Sequence, residues 1–180
     1  MKSKLKRLLK KAVVKGDFNL TSGKKSKHYL NGRNVTLTPE GAYCAAQLIF
    51  KIIKKEGATA IGGPTIGADP IVGAVAYLAH TKKYKLKTFI IRKSPKSHAD
   101  KKQIEGPALS KQDKIIIVDD TATTGKSLIE SAQILKSRGL KIIKAVVVVD
   151  REEGAKKNMS KIGVGLMSLF LISEIVPKKV

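Results

Sequence analysis

The sequence predicts an α/β protein in which helices flank a central, mainly parallel sheet. Short, continuous runs of β-branched residues alternate with longer stretches of helical periodicity, which is typical of parallel strands joined by crossover helices. Glycine and polar residues gather directly after several predicted strands, where folds of this class bind ligands. We expect one domain over residues 1–180, with a helix and a covering hood in residues 1–35, a core in residues 36–160 and a C-terminal segment in residues 161–180.

The chain begins with a stretch of helical periodicity. Apolar residues recur at helical spacing over residues 5–13, with lysines on the opposite face, so we predict a first helix packed on the domain rather than one that lies on a membrane. Residues 19–34, which follow, are polar and rich in turn-forming residues. They are predicted to form turns and loop.

Three further helices have recognisable first residues. An N-cap residue followed by proline occurs at residues 38–39 and 69–70, and predicts helices that end near Lys55 and His80. Ser127 has capping-box spacing to a glutamate three residues later, which predicts a helix that begins there and stops at a glycine after residue 138. The predicted strands are residues 58–61, 88–91, 114–118, 145–149 and 166–172.

The composition is that of a globular protein. Hydrophobic residues make up 42% of the chain, which is too high for disorder, and no apolar run approaches the length that spans a bilayer. We see no secretory signal. Cys44 is the single cysteine, which excludes an intrachain disulfide and is expected to be buried. We therefore expect a cytoplasmic protein with no membrane partner.

The net charge of +22 is unusually high. Such a charge attracts polyanions, which include nucleic acids and phosphorylated small molecules. The lysines are spread along the whole chain, aromatic residues make up only 4% and tryptophan is absent, so platforms for stacking bases are scarce. We expect no specific nucleic-acid partner and attribute the charge to a general enrichment in lysine.

The most informative segment is IIIVDDTATTGKS, residues 115–127. A buried strand is predicted to deliver two adjacent carboxylates to its end, where a small, hydroxyl-rich loop leads into a helix. The backbone N–H groups of such a loop and the positive end of a helix dipole form a phosphate cradle. Gly125 permits backbone conformations that a side chain would forbid.

The two carboxylates, Asp119 and Asp120, need donors or cations rather than phosphate. Sugar hydroxyls and a nearby Mg²⁺ would satisfy them, so phosphate on one side and a diol on the other describe a ribose 5-phosphate. A Walker A loop requires an earlier glycine, where this chain has Asp120 or Thr121. An ordinary strand–turn–helix with capping residues is the remaining alternative.

This segment closely resembles the motif with which type I phosphoribosyltransferases bind phosphoribosyl pyrophosphate (PRPP). The resemblance implies the type I phosphoribosyltransferase fold and PRPP contacts along the whole loop. The implied PRPP-binding residues are Asp119, Asp120, Thr121, Ala122, Thr123, Thr124, Gly125, Lys126 and Ser127.

The second informative segment is residues 89–106. It contains the end of a predicted strand, then two cationic residues, then a polar loop. By composition it is either a solvated charged loop or a mobile lid over an anionic ligand. Its Arg-Lys-x-x-Lys-x-His pattern followed by Glu-Gly resembles the catalytic loop of orotate phosphoribosyltransferases, although Ala99 stands where glycine is usual. The resemblance implies PRPP contacts, chiefly to pyrophosphate, from Arg92, Lys93, Lys96 and His98.

Three more parts of the chain match the same family. Residues 18–33 resemble the hood that covers orotate, with Thr21 where some members have lysine, and would otherwise be a polar surface loop. Residues 62–70 match a region used for pyrophosphate. Arg151 follows a buried strand and matches the arginine that binds orotate, whose carboxylate suits a guanidinium fork. Thr123 also matches an orotate-contacting position.

The resemblance therefore implies an orotate phosphoribosyltransferase, which transfers the ribose 5-phosphate of PRPP to orotate in the de novo synthesis of UMP. The implied catalytic residues are Lys96, Asp119 and Asp120. Mg²⁺ is the implied cofactor and would lie near the two aspartates through ligand or water, so no direct protein ligand is assigned. The resemblance also implies a homodimer in which the lid of each subunit reaches the partner's site.

Two rival functions share some of these features. A purine phosphoribosyltransferase would share residues 119–127 but lack the hood and lid patterns. A PRPP-sensing regulator of nucleic acid, without catalysis, is favoured by the net charge. Against it, a separate DNA-binding domain does not fit in 180 residues and the lid lysine is present.

Overall fold

A computed structural model describes residues 1–19, 25–94 and 103–176, and a six-stranded sheet forms its centre. The strands of this part of the chain are β1 (Val13–Asn19), β2 (Lys25–Leu30), β3 (Ala60–Pro64), β4 (Lys87–Ile91), β5 (Ile104–Glu105), β6 (Lys114–Ala122), β7 (Lys141–Asp150) and β8 (Leu166–Leu171). The helices are α1 (Lys2–Lys11), α2 (Arg33–Thr36), α3 (Pro39–Glu56), α4 (Asp69–Thr81), α5 (Lys126–Lys136), α6 (Ala155–Lys161) and α7 (Ile172–Ile175).

The six-stranded sheet has the order β5-β4-β3-β6-β7-β8, and every neighbouring pair is parallel except β4 with β5. Parallel neighbours need crossover connections, and α4, α5 and α6 supply three of them. The carboxyl ends of β3, β4, β6 and β7 therefore meet at one edge of the sheet. This arrangement confirms the predicted mainly parallel α/β class.

Two hydrophobic clusters cover the two faces of the sheet. The side chains of Ile116 and Val118 lie in the cluster with α1, α3 and α4, while those of Ile115 and Ile117 lie in the cluster with α5 and α6. Successive strand side chains point to opposite faces. Because helices cover both faces, β6 is apolar on both sides until it reaches its carboxyl end.

The N-terminal region differs from its prediction. Residues 13–19 and 25–30 form an antiparallel pair of strands, β1 and β2, with a register shift between Lys15 and Phe18, where we had predicted turns and loop from residue 19 onwards. The first helix also ends at Lys11 rather than at residue 13. The helix ends early because Val13 pairs with Leu30 across the two strands. A β-branched residue such as valine is also better accommodated in a strand than in a helix.

The predicted helix starts were correct once and displaced twice. Thr38 caps α3 as predicted, since its hydroxyl accepts from the Gly41 N–H at 3.1 Å. The N-cap of α4 is Ala68, so Asp69 is already helical. The capping box predicted from Ser127 is wrong, because α5 begins at Lys126 after Gly125, which has φ of +80° and no side chain to cap with.

Smaller elements have too few residues for a periodic signal and were not predicted. They are β5, α2, α6 and α7. Cys44 is buried and free, as expected. Within residues 1–19, 25–94 and 103–176, no helix has both the length and the apolar character needed to cross a membrane.

Candidate functional site

A polar cavity of about 270 Å³ lies at the carboxyl edge of the sheet. Its wall comes from the end of β2 and the start of α2, the β3–α4 loop, Lys93 after β4, the β6–α5 loop and Arg151 after β7. Four of these five segments converge here because β3, β4, β6 and β7 are parallel and end at the same edge. Predicted site residues that line the cavity are Lys93, Asp119, Asp120, Thr121, Thr123, Ser127 and Arg151.

Two buried carboxylates form the floor. Asp119 and Asp120 are 8% and 7% exposed, and each accepts a hydrogen bond from the backbone N–H of the next residue, at 2.9 Å and 2.7 Å. Burial and then the charge of Asp120 raise the pKa of the Asp119 carboxyl well above its usual value. No cation in the described ranges lies within ion-pair distance of either carboxylate. The negative charge of the pair would therefore favour a bound cation.

The β3–α4 loop lies against this pair. A side chain at Gly67 would begin 2.0 Å from Asp119 Oδ1 and 2.7 Å from Asp120 Oδ1, distances that no real side chain occupies. Gly32, at the start of α2, is similarly close, with 2.8 Å to Asp120 Oδ2. Both glycines allow the backbone to approach the carboxylates.

The β6–α5 loop presents only part of its residues to the cavity. Thr121, Thr123 and Ser127 line it. Ala122 and Thr124 instead hold the loop in place through their carbonyls, which accept from the Arg151 N–H at 2.8 Å and from Asn158 Nδ2 at 3.0 Å. Neither those two nor Gly125 and Lys126 contribute to the cavity wall.

Arg151 closes the cavity on the side of β7. Its guanidinium carbon is 5.9 Å from the centre of the Tyr29 ring, and its Nε is 3.5 Å from Glu153 Oε1. Tyr29 comes from the hairpin, as expected for a hood residue. Our sequence analysis did not single out Glu153, although its position two residues after the arginine was a usable signal.

Two further wall residues come from the segment after β2. Asn31 was missed, because nothing in its local sequence distinguishes it from a turn residue. It accepts hydrogen bonds from the backbone N–H and from Nε of Arg33, both at 3.2 Å. Both side chains line the cavity, so the start of α2 belongs to the site together with the hairpin.

Of the predicted lid, residues 89–106, the structure describes the two ends, residues 89–94 and 103–106. The Arg92 N–H donates to the Gln103 carbonyl at 2.8 Å, and Arg92 Nη1 is 3.7 Å from Glu105 Oε1, so the ends are joined beside the site. Lys93 lines the cavity, whereas Arg92 lies in a smaller neighbouring pocket. Lys96, His98 and Ala99 lie outside the described residues, as does Thr21 in the hood.

Comparison with known proteins agrees with this geometry. The phosphoribosyl transferase domain family matches residues 34–166. The chain is 38% identical over 179 residues to the orotate phosphoribosyltransferase of Aquifex aeolicus (strain VF5), and 97% of each chain is covered.

Solved structures give the same result for the fold. A Mycobacterium tuberculosis H37Rv orotate phosphoribosyltransferase in complex with Fe(III) dicitrate superposes with a TM-score of 0.83 at 27% identity, over 97% of this chain and 98% of that one. A structure of the M. tuberculosis enzyme in complex with PRPP has a TM-score of 0.79 at 24% identity, over 97% and 98%.

Proposed function

Since the chain belongs to the orotate phosphoribosyltransferases, which transfer the ribose 5-phosphate of PRPP to orotate, we propose that this transfer takes place in the cavity at the carboxyl edge of the sheet. One observation carries the proposal. Two buried carboxylates, a hydroxyl-bearing loop at a helix start and a guanidinium surround the same 270 Å³ cavity. These groups match a sugar diol, a phosphate and a carboxylate in turn.

PRPP is held mainly by the loop after β6. The 5-phosphate binds the hydroxyls of Thr121, Thr123 and Ser127 and the backbone N–H groups at the start of α5. Asp119 and Asp120 accept hydrogen bonds from the ribose hydroxyls. Ala122, Thr124, Gly125 and Lys126 take part through the backbone, because their side chains lie outside the cavity wall.

Orotate binds between Arg151 and the hood. Its carboxylate pairs with the guanidinium, and Thr123 lies on the same wall. Such a charge-assisted, two-pronged contact is stronger and more directional than a neutral hydrogen bond. It also favours orotate over bases without a carboxylate.

The reaction is a substitution at the anomeric carbon of the ribose. A ring nitrogen of orotate gives up its proton and forms the new bond to this carbon while the bond to the pyrophosphate oxygen breaks, through a transition state with oxocarbenium character. Negative charge grows on the leaving pyrophosphate, and Arg92, Lys93 and Lys96 stabilise it. Lid closure, with His98 on the same loop, excludes water from the reactive sugar.

Magnesium is the cofactor that fits these residues. Two adjacent buried carboxylates that form no ion pair with a described cation suit a hard divalent cation. Within the described residues no three His, Cys, Asp or Glu side chains form a metal cluster, so Asp119 and Asp120 would hold Mg²⁺ through PRPP or water. Bound there, Mg²⁺ supplies neutralisation of pyrophosphate charge.

We further propose a cytoplasmic homodimer in which each lid completes the partner's site. Its support is the family resemblance of residues 89–106 and the position of Lys93 at the cavity wall. The lid lysine, Lys96, then acts across the interface. Mixing Lys96→Ala subunits with subunits inactivated at Asp119 should restore part of the activity, because one of the two hybrid sites is intact.

The test of the proposed function is a spectrophotometric assay with PRPP, Mg²⁺ and orotate, with adenine, hypoxanthine and uracil as parallel bases. We expect only orotate to react, and only with Mg²⁺ present. Turnover of a purine would leave the PRPP site intact but refute the orotate site. PRPP binding without turnover of any base would refute catalysis and favour a regulatory role.

The lid assignment has its own test in the same assay. Lys96→Ala should lower kcat by about 10² to 10³, the typical cost of removing one group that stabilises developing charge, with little effect on orotate binding. Lys101→Ala is the matched control, because it removes the same charge from the same segment. A wild-type kcat for Lys96→Ala would refute the assignment.

A further inference from the structure

The side chain of Arg151 is held on two sides before any ligand binds. Its Nε lies 3.5 Å from Glu153 Oε1, and the two side chains are only 10% and 9% exposed. The Tyr29 ring covers the guanidinium, with 5.9 Å between the guanidinium carbon and the ring centre. Arg151 also lines the cavity. A ligand in the cavity would therefore contact the guanidinium on a side that neither Glu153 nor Tyr29 covers.

Glu153 is not explained by a structural role of its own. Its second oxygen, Oε2, is buried and has no hydrogen-bond partner among the described residues. An unsatisfied buried carboxylate oxygen destabilises a fold, so this oxygen gives Glu153 no stabilising role. The geometry instead makes Arg151 the one described partner of this carboxylate.

The turn after β7 is built to bring Glu153 back onto Arg151. The Arg151 N–H donates to the Ala122 carbonyl at 2.8 Å, which fixes the arginine to the PRPP loop. The Glu152 N–H donates to Asp150 Oδ1 at 2.9 Å, and Glu152 has φ of +59°, which is uncommon for a residue with a side chain. Glu152 Oε2 accepts from the Ser173 N–H at 2.9 Å, so the turn is also tied to α7.

We propose that Glu153 is a positioning residue for recognition of the orotate carboxylate. By occupying Nε of Arg151 it directs the terminal nitrogens of the guanidinium towards the base, and its charge compensates that of Arg151 while the site is empty. The selectivity for a base that bears a carboxylate then depends on Glu153 as well as on Arg151. This inference rests on the proposed role of Arg151 in binding orotate.

Two product-like nucleotides isolate the carboxylate. Orotidine 5'-monophosphate and uridine 5'-monophosphate share the ribose phosphate and differ at the base only by the carboxylate. We would measure the Kd of each by calorimetry for the wild type and for Glu153→Gln, which keeps the shape and removes the charge. The ratio of the two constants reports contacts to the carboxylate alone.

We expect Glu153→Gln to reduce the preference for orotidine 5'-monophosphate by about 10-fold or more, since hydrogen bonds to charged groups are worth roughly 10- to 100-fold in affinity. The Kd of uridine 5'-monophosphate should not change. Glu153→Asp keeps the charge but places the carboxylate farther from Arg151. It should reduce the preference for orotidine 5'-monophosphate by a smaller factor than Glu153→Gln. Glu56→Gln is the control, because it removes the same charge from a residue that pairs with Lys144 and does not line the cavity, and it should keep the wild-type ratio.

The outcomes separate this inference from the proposed function. An unchanged ratio in Glu153→Gln, or equal weakening of both nucleotides as expected of a structural role, would overturn the inference. Arg151→Gln should also reduce the preference. If it does not, the orotate role of Arg151 fails and the role of Glu153 fails with it, whereas a loss in Arg151→Gln alone overturns only the positioning role.

Discussion

The two ends of β6 carry buried aspartates in opposite environments. Asp113, just before the strand, is 6% exposed and accepts hydrogen bonds from Lys87 Nζ at 2.8 Å, the Ser110 N–H at 2.7 Å and Thr59 Oγ1 at 3.0 Å. Burial opposes ionisation here, yet these donors outweigh it and hold the pKa of Asp113 at about 2. At the other end, burial and Asp120 raise the pKa of Asp119.

The difference separates a carboxylate that stabilises the fold from a pair kept for a ligand. Asp113 has cationic and neutral donors in the protein itself, so its charged form is favoured by folding. Asp119 and Asp120 accept from backbone N–H groups of their own turn, and neither forms an ion pair with a described cation. Such local frustration is expected where a site is shaped for something the chain does not contain.

Substitution of Asp119 or Asp120 should have the largest effect, and that effect should be on catalysis. Asp119→Asn or Asp120→Asn should lower kcat by about 10² to 10³, the typical cost of losing one charged group at a reacting centre. The same changes should leave the thermal unfolding temperature unchanged or raise it, because they remove repulsion between two buried carboxylates. Steady-state kinetics and thermal unfolding check both parts, and a loss of stability in either variant would contradict the comparison.

A second change closes the space in front of the pair. Gly67→Ala places a carbon 2.0 Å from Asp119 Oδ1 and must displace the β3–α4 loop or the carboxylate. A displacement of about 1 Å in a site can cost about 10² in rate, so kcat/KM for PRPP should fall by that order. Gly165→Ala, where nothing lies within 4 Å, is the control. Wild-type kinetics for Gly67→Ala would show that the loop relaxes freely.

A substitution of Asp113, at the opposite end of β6, should change the stability of the fold and not the catalytic activity. Asp113→Asn leaves Lys87 without its charged partner and replaces one of the two oxygens that accept from Ser110 and Thr59 by an amide donor. We expect a loss of about 2 to 3 kcal/mol in the free energy of unfolding, measured by denaturant titration. Under conditions where the variant is folded, its turnover rate should match that of the wild type. If turnover instead fell by an order of magnitude, the two ends of the strand would be coupled.

The smallest effect is a pH dependence with a defined sign. The pKa of Asp113 is about 2 in the folded chain, against a usual 3.8, so the folded state binds fewer protons between these values. Its contribution of about 2 kcal/mol is present above pH 4 and is lost as the pH falls to 2. Acid titration of the unfolding free energy should show this loss in the wild type and not in Asp113→Asn.

Local sequence was sufficient for features that are themselves local. The positions of Asp119, Asp120 and Arg151 directly after apolar runs were visible, because a buried strand has a continuous β-branched signature and its end is where polar residues resume. The cap of α3 at Thr38 was visible because a proline follows it directly. The mainly parallel fold followed from the alternation of apolar runs and helical stretches, the transferase family followed from the resemblance of its motifs, and both were confirmed.

Features that depend on distant partners were not visible. Residues 13–30 were misjudged because a hairpin is stabilised by pairs across the strands, such as Val13 with Leu30, rather than by a periodic pattern in its polar arm. Asp113 gave no signal, since its donors come from residues 26 and 54 positions away as well as from a neighbour. Glu153 was overlooked because its importance lies in one contact of its side chain.

The sequence by itself determined the fold class, the longer strands and helices of the core, the chemical groups at the strand ends and, through its motifs, the family, because each depends on residue type at short spacing. Only the tertiary structure decided which of those groups share a cavity, which carboxylates are satisfied and how Arg151 is held. These properties are set by distances between segments far apart in the chain. Burial raises the pKa of a carboxyl, and the donors that fold around it decide whether that rise is outweighed.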